Sequence, residues 1–302
     1  MAIIINNDGQ AYQTAGIGTT TGAVLAGSAV AGGVSSVHQR VIAPQLMKRI
    51  KNEASNLDVK VIQKGVNDAF EKSGLKPKGV EILDVREVPA GTELLPVNKK
   101  LAEALEQSVP KRIRENKTIF ENSVKPILKN VQKMIEAGEN GACIFKTNKV
   151  AINTEKLGAA AFHEFGHALN RNSSKFWRCV QQARVPAMVA GGGASLVALF
   201  KRKKMEGEEP KNNFDKATTF IKNNVGTIAA LSCVPIVAEE LAATYKGEKL
   251  AKQVLSPELL KRVKGVNKAG AISYVSLAAI SGLSAYAASK VRDAIAKPKE
   301  IV

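Results

Sequence analysis

The apolar positions of this chain are concentrated in four uncharged blocks, at residues 15–37, 185–200, 223–238 and 269–289. A helix needs about 20 apolar residues to cross the hydrocarbon core of a bilayer. The first and fourth blocks reach that length, and the other two are somewhat shorter. All four are built from Gly, Ala, Ser and Thr rather than from Leu and Ile. The pattern therefore predicts about four weakly hydrophobic membrane helices.

The small residues in these blocks indicate how the helices would pack. Side chains of this size allow helices to approach closely in lipid. Three pairs of small residues spaced four apart are candidates for such contacts: Gly18 and Gly22, Ala278 and Gly282, and Ser281 and Ala285. The alternative is that the blocks form buried helices or glycine-rich core segments of a soluble protein.

The residues between the first two blocks, 38–183, have the pattern of a mixed α+β domain. Apolar residues at helical spacing predict helices, and short β-rich runs bounded by turn residues predict strands. The predicted elements are helices at 59–73, 101–108 and 118–137, a strand at 80–88, and a β-hairpin formed by 142–145 and 150–153. Asn153 or Thr154 can cap the helix that follows this hairpin.

The net positive charge of the chain limits the classes of molecule that we expect it to bind. Lys and Arg outnumber Asp and Glu by 44 to 27, and the resulting formal charge of +17 suits nucleic acid or an anionic lipid surface. By the positive-inside rule, Arg40 and the basic residues after it place the chain from about residue 40 onward in the cytoplasm. Only 5% of residues are aromatic, and no stacking motif or recognition helix stands out. We therefore expect an anionic membrane lipid, rather than a nucleic acid, as a partner.

One short motif carries recognisable chemistry: His163-Glu164-Phe165-Gly166-His167, within a predicted helix. Two histidines four residues apart project from the same side of a helix, so both imidazoles can bind one metal ion. Glu164 can hold a water molecule without binding the metal itself. Zinc in such a site polarises the water and the scissile carbonyl, and the carboxylate carries the proton to the leaving amine. The alternative is an amphipathic helix whose histidines only form hydrogen bonds.

A catalytic zinc site normally has three protein ligands and one open position. No histidine follows His167, so a carboxylate must complete the site. The strongest candidates are Glu239 and Glu240, directly after the third apolar block. Two acidic residues at the end of an uncharged segment are costly near lipid and require a partner. The alternative is that they only mark the exposed end of the helix.

These residues resemble those of the zincin metallopeptidases, in the branch whose third zinc ligand is a glutamate (the gluzincins). Within this branch the layout is similar to membrane-embedded zinc proteases of the heat-shock and CAAX-processing types, in which a helical hairpin also separates the two zinc-binding helices. The resemblance covers about residues 140–250. The family pattern E-x-x-A-D matches the segment that starts at Glu240, with Thr244 in place of the Asp that orients a ligating histidine. The resemblance favours Glu240 as the third ligand, and Glu239 stays open as the alternative.

The fold that these patterns and the resemblance imply is α+β and mostly helical. It combines zincin-like catalytic helices and a small β-hairpin with about four weakly hydrophobic transmembrane helices. We expect four consecutive segments: an N-terminal segment with one membrane helix at 1–37, a zinc-peptidase domain at 38–183, a membrane helical hairpin that ends in the third zinc ligand at 184–240, and a basic helical segment with the last membrane helix at 241–302.

The predicted function is a membrane-associated zinc endopeptidase whose catalytic domain lies in the cytoplasm. Zn²⁺ would be held by the two motif histidines and Glu240, with Glu164 as the general base and with a protein or peptide as substrate. Such an enzyme also needs an oxyanion stabiliser, for which Tyr245 and His38 are candidates. A second hypothesis is a non-catalytic membrane scaffold or adaptor in which zinc only braces the helices. The oligomeric state is left open.

Overall fold

Most of the chain is helical in the structure, a computed structural model that describes residues 3–5, 10–55, 57–89 and 91–301. The helices are α1 (Ile17–Val37), α2 (Ala43–Ser55), α3 (Val59–Lys72), α4 (Pro96–Ser108), α5 (Lys111–Glu115), α6 (Lys117–Ile119), α7 (Lys125–Glu136), α8 (Thr154–Leu157), α9 (Ala161–Ser173), α10 (Lys175–Phe200), α11 (Asn213–Leu231), α12 (Val234–Ala251) and α13 (Pro257–Ile295). The strands are β1 (Ile3–Ile5), β2 (Ala11–Gln13), β3 (Glu81–Asp84), β4 (Ala142–Ile144), β5 (Lys149–Ile152) and β6 (Lys299–Glu300).

Contacts divide the chain into two units, each assembled from separate stretches. The mixed unit comprises Gln45–Gln181 and Ala238–Ile272, and the helical unit comprises Met1–Pro44, Gln182–Val237 and Ser273–Val302. The segments predicted from the sequence, by contrast, follow one another along the chain. Because the helix that carries Glu239 and Glu240 enters the mixed unit at Ala238, these glutamates belong to the same unit as the histidine motif.

The mixed unit contains a three-stranded sheet in the order β3-β5-β4. The predicted hairpin is confirmed: β4 and β5 pair antiparallel, with Cys143 opposite Val150, and Asn148 adopts a left-handed turn conformation at φ 55°. The predicted strand at 80–88 is present in shortened form as β3, which pairs parallel with β5. Central strand β5 is mostly buried, as its apolar sequence requires.

The main core of the mixed unit forms around α3 and α9. The predicted helix at 59–73 is confirmed as α3, and the Asp58 side chain caps it by accepting hydrogen bonds from the backbone N–H groups of Lys60 and Val61. The apolar stripe of α3 is buried in the same cluster as Phe162 and Phe165 of α9. The helix with the histidine motif is therefore anchored by two core phenylalanines, one on each side of His163.

The predicted helix at 118–137 is present, with one π-helical stretch inside it. The segment forms α6, a π-helical stretch at Phe120–Val124, and then α7. Pro126 directly follows the π-helical stretch, and the helical backbone runs through both. A π-helical turn is one way in which a continuous helix accommodates a proline, which lacks the backbone N–H.

Two glycines bring α9 and α12 into backbone contact. A Cβ at Gly166 would lie 1.9 Å from the carbonyl oxygen of Ala243, and a Cβ at Gly247 would lie 2.2 Å from that of Phe162. Only glycine fits at such a distance. Phe162 of α9 meets Gly247 of α12, and Gly166, four residues later in α9, meets Ala243, four residues earlier in α12. The two helices therefore pack antiparallel. This contact positions the candidate site.

In the helical unit, small residues lie inside and large apolar residues lie outside. Its buried cluster consists of Ala198, Val225, Ala229 and Ala285. The large exposed apolar side chains include Ile17, Val185, Val189, Leu196, Phe200, Leu231, Val275 and Leu283. Soluble proteins rarely expose so many large apolar groups, whereas helices in lipid pack through small residues.

The close helix contacts in this unit occur at only some of the predicted pairs of small residues. A Cβ at Gly282 would lie 2.8 Å from the carbonyl oxygen of Gly226, so the pair Ala278–Gly282 does contain a close-contact position. A Cβ added at Gly18 or Gly22, by contrast, would contact no described atom within 4 Å beyond its own stretch of helix. The close approach of α1 occurs instead at Gly27, where a Cβ would lie 2.7 Å from the carbonyl oxygen of Ala288.

Four helical stretches are long and apolar enough to cross a membrane. They are Ile17–Ala54, Lys175–Phe200, Asn213–Ala251 and Pro257–Ile295. Each contains one of the four apolar blocks that the hydropathy pattern singled out. The two shorter blocks gain length because their helices continue into more polar sequence.

Candidate metal centre

Three donor atoms converge between α9 and α12. The Nε2 atoms of His163 and His167 lie 3.0 Å apart. Glu240 Oε2 lies 3.1 Å from the first and 3.2 Å from the second. Donor atoms around a tetrahedral metal ion with bonds of about 2.0–2.1 Å are about 3.3 Å apart. The triangle therefore has nearly the size that three ligands of one ion require.

The antiparallel packing explains why these residues meet. His163 and His167 lie one turn apart on α9, and Glu240 and Thr244 lie one turn apart on α12. His163 accordingly meets Thr244, and His167 meets Glu240. Both glutamates at this point are buried, with Glu239 at 0% and Glu240 at 2% exposure. They do not mark an exposed helix end.

The other nitrogen of each imidazole has its own partner. His167 Nδ1 donates to Glu239 Oε1 at 2.9 Å, and Thr244 Oγ1 lies 3.1 Å from His163 Nδ1, where it can accept a hydrogen bond from that nitrogen. With both protons on Nδ1, the lone pairs of both Nε2 atoms point into the donor triangle. The Thr244 hydroxyl thus faces the Nδ1 side of His163.

Glu239 is itself held by two side-chain amides. Asn170 Nδ2 and Gln181 Nε2 donate to Glu239 Oε1 at 3.0 and 2.7 Å. Gln181 Nε2 also lies 3.1 Å from the carbonyl oxygen of His167. The geometry thus gives the adjacent glutamates different positions: Glu240 contributes to the donor triangle, and Glu239 orients His167 from behind.

Glu164 lies beside the triangle without being part of it. Its side chain is buried, and one carboxylate oxygen lies within 4.8 Å of a donor atom from each histidine. It packs against Gly141, just before β4, where a Cβ would lie 3.1 Å from Glu164 Cγ and 3.3 Å from Oε1. Gly141 therefore provides the room that this carboxylate occupies.

Burial and neighbouring charges shift the pKa values of Glu164 and His167 in this site. Burial raises the pKa of Glu164, against the opposing effect of the two histidines. Burial lowers the pKa of His167, but hydrogen bonds with Glu239 and Glu240 outweigh it and raise this pKa to about 10. Buried carboxylates need a positive partner. A metal ion among the imidazoles would supply it in place of a proton, so the donor set fits a bound cation.

The structure does not bring the two candidate oxyanion stabilisers together with the donor triangle in the mixed unit. Tyr245 is 70% exposed, and five residues along a helix rotate it about 140° away from Glu240. His38 belongs to the helical unit, where its Nε2 lies 3.3 Å from the carbonyl oxygen of Ser273. The role of either side chain in catalysis stays a prediction.

Sequence reasoning missed three side chains that support the site. Asn170 follows His163 and His167 at positions i+7 and i+3, so helical periodicity could have identified it. Phe145, at the end of the hairpin strand, packs edge-on against His167 with ring centroids 6.2 Å apart. Gln181 comes from the next helix, and its sequence context gives no signal.

No family model matches this chain, and comparison with curated proteins and with solved structures finds no match. The resemblance to zincins accordingly rests on the motif residues alone. The chemistry of the centre must be inferred from its own geometry.

Proposed function

We propose that this chain is a membrane-associated, zinc-dependent endopeptidase. The observation that carries this proposal is the convergence of His163 Nε2, His167 Nε2 and Glu240 Oε2, with Glu164 beside them. Two imidazoles and one carboxylate form a ligand set of catalytic zinc sites, which keep a fourth position open. Zinc, when bound, supplies Lewis acidity that polarises a peptide carbonyl and makes water easier to deprotonate.

Glu164 is the general base in this proposal. Burial raises its pKa towards the pH at which a carboxylate can both accept and return a proton. A Glu164 carboxylate oxygen takes the proton of the attacking water and then delivers it to the amide nitrogen that leaves. Because Glu164 lies outside the donor triangle, it can act on the water without ligating the metal.

The neighbouring sheet offers a way to align a peptide substrate. β4 is an edge strand, since the described strand order is β3-β5-β4. It runs past the centre, from Gly141 against Glu164 to Phe145 against His167. An extended peptide can add to an exposed strand edge through main-chain hydrogen bonds. We infer that substrate segments bind in an extended conformation.

The membrane part of the proposal rests on the four long apolar helical stretches and on the exposed apolar side chains of the helical unit. By the positive-inside rule, the basic residues that begin at Arg40 favour a cytoplasmic mixed unit, although the basic run at 201–204, one crossing further along α10, carries positive charge on the opposite side. Proteins near the cytoplasmic membrane face are therefore the proposed substrates.

Replacing the base tests the enzyme hypothesis directly. The full chain, purified in detergent, is assayed for zinc content and for casein or self-cleavage beside Glu164→Gln and Glu103→Gln. Glu103 is exposed in α4, so its variant is a matched control. We expect Glu164→Gln to retain zinc and to lose about 10²–10⁴-fold in rate, with the control unchanged.

Two results would overturn the proposal. The first is full cleavage by Glu164→Gln. The second is a wild-type chain that binds zinc stoichiometrically but cleaves none of the proteins tested, which would favour the scaffold hypothesis.

A further inference from the structure

A cavity of about 630 Å³ opens in the helical unit at the C-terminal ends of α10 and α13. Three acidic residues line it, among them Asp293. The basic residues that line it are Arg202, Lys203, Lys204, Lys290, Arg292 and Lys297. Because basic lining residues outnumber acidic ones two to one, the cavity attracts anions.

Three of the six basic residues already have structural partners. The Arg292 guanidinium donates to the carbonyl oxygens of Leu199 and Phe200 at 3.0 and 3.2 Å and to Asp293 at 3.1 Å, so it caps the C-terminal end of α10. Arg202 and Lys204 both pair with Glu208, a residue outside the cavity lining. These charges stabilise the fold.

The other three, Lys203, Lys290 and Lys297, are exposed towards the cavity. Among the described residues, no carboxylate oxygen lies within 4.0 Å of their ammonium groups. Lys290 Nζ lies 5.3 Å above the ring of Tyr286, a contact that restrains the ammonium group without neutralising it. Three lysines thus face one concave site that Glu206 and Glu300 also line, so the groups without an ion-pair partner leave a net positive charge there.

We propose that this cavity binds the phosphate group of an anionic membrane lipid. Two of the stretches long enough to cross a membrane, Lys175–Phe200 and Pro257–Ile295, end at the cavity. The end of a membrane helix lies at the depth of the lipid headgroups, where basic pockets between helices bind phosphate-bearing lipids. Lysine binds phosphate as a point charge, and the volume is in the range of ligand sites.

The test compares a cavity variant with a charge-matched control in the full chain. The cavity variant is Lys203→Gln/Lys290→Gln/Lys297→Gln. The control variant replaces three exposed lysines of the mixed unit: Lys64→Gln/Lys117→Gln/Lys129→Gln. Native mass spectrometry in detergent measures retention of phosphatidylglycerol and of phosphatidylcholine with the same acyl chains.

We expect the wild type to retain phosphatidylglycerol in preference to phosphatidylcholine. The cavity variant should bind phosphatidylglycerol about tenfold or more weakly, because each lysine near an anionic headgroup contributes to attraction. The control variant should bind as the wild type does. A third variant with Arg at the same three cavity positions should retain binding, which separates loss of charge from loss of fold.

A second arm distinguishes a lipid headgroup from free phosphate. Calorimetric titration with inorganic phosphate measures whether the same three lysines bind the soluble ion. Binding of phosphate without any preference between the two lipids would support a phosphate site but overturn the lipid as its source. Equal loss in the cavity and control variants, or no loss in either, would overturn the site itself.

Discussion

Gly166→Ala should separate the two helices that carry the metal centre. Gly166 precedes His167 directly, and an added Cβ would lie 1.9 Å from the carbonyl oxygen of Ala243 and 2.7 Å from its Cα. These are backbone atoms, so no side-chain rotation can relieve the contact. An ordinary contact of this type begins near 3.4 Å, and relief therefore needs a movement of about 1.5 Å between α9 and α12.

This movement is large compared with what a metal site tolerates. Glu240 Oε2 lies only 3.2 Å from His167 Nε2, and ligand distances in metal sites hold to about 0.2 Å. The carboxylate would move out of reach of the position that it shares with the imidazoles. We expect zinc affinity to fall by about 100-fold or more and unfolding free energy to fall by about 1–3 kcal/mol from overpacking.

Zinc titration against a competing chelator and thermal unfolding of the full chain measure both effects. Gly270→Ala is the matched control, because Gly270 lies in a helix of the same unit and a Cβ added there would contact no described atom within 4 Å beyond its own stretch of helix. It should bind zinc normally and be equally or slightly more stable, since Ala is favoured over Gly in helices. Gly247→Ala, which meets the carbonyl oxygen of Phe162 at 2.2 Å, should reproduce the defect. Wild-type zinc affinity and melting temperature in Gly166→Ala would refute the reasoning.

Three further predictions test individual side chains. Glu240→Ala should abolish stoichiometric zinc binding, whereas Glu239→Ala should bind zinc about 10–100-fold more weakly, because Glu239 orients an imidazole without belonging to the donor triangle. Metal content and chelator competition measure the two variants, and equal effects would contradict these separate roles. Thr244→Val should lower zinc affinity about tenfold, because it removes the hydroxyl oxygen that lies 3.1 Å from His163 Nδ1. Unchanged affinity in the same titration would argue against an orienting role for Thr244. Asp293→Ala should lower the unfolding free energy by about 3–5 kcal/mol, because it removes the carboxylate 2.9 Å from the Lys222 ammonium, whose side chain is 1% exposed. The double variant with Lys222→Met should recover part of this loss in thermal unfolding, and no recovery would contradict the ion-pair explanation.

The local parts of the centre could be predicted from the sequence because their signals are short-range. Asn153 does cap the helix that follows the hairpin, by accepting a hydrogen bond from the Lys156 N–H. The spacing of His163 and His167 places both imidazoles on one side of α9, as a helix of 3.6 residues per turn requires. Glu239 and Glu240 stood out because charges are rare at the end of such an uncharged segment.

The long-range parts could not be predicted, because a local pattern does not specify which helix faces which. His163 and Glu240 are 77 residues apart in sequence, and no periodicity gives the register between their helices. Small-residue spacing has the same weakness. The spacing of four occurs at Gly18 and Gly22, where an added Cβ would contact no described atom beyond its own stretch of helix within 4 Å. The close approach of α1 to another helix occurs instead at Gly27.

The register between α9 and α12 explains how two adjacent glutamates can serve one metal centre. Consecutive helix residues point about 100° apart, so neighbours in sequence lie in different rows of contacts. One row sets the distance between the backbones, through the pairs Phe162–Gly247, Gly166–Ala243 and Asn170–Glu239. The adjacent row places the site, through the pairs His163–Thr244 and His167–Glu240. In both rows, each step of four residues forward in α9 is matched by a step of four residues backward in α12. Because the two rows belong to the same two helices, a change in helix separation in the first row also changes the distances in the second. A metal ion bound in the second row should therefore hold the first row closed, and added zinc should raise the melting temperature of this chain in proportion to the logarithm of its concentration above Kd.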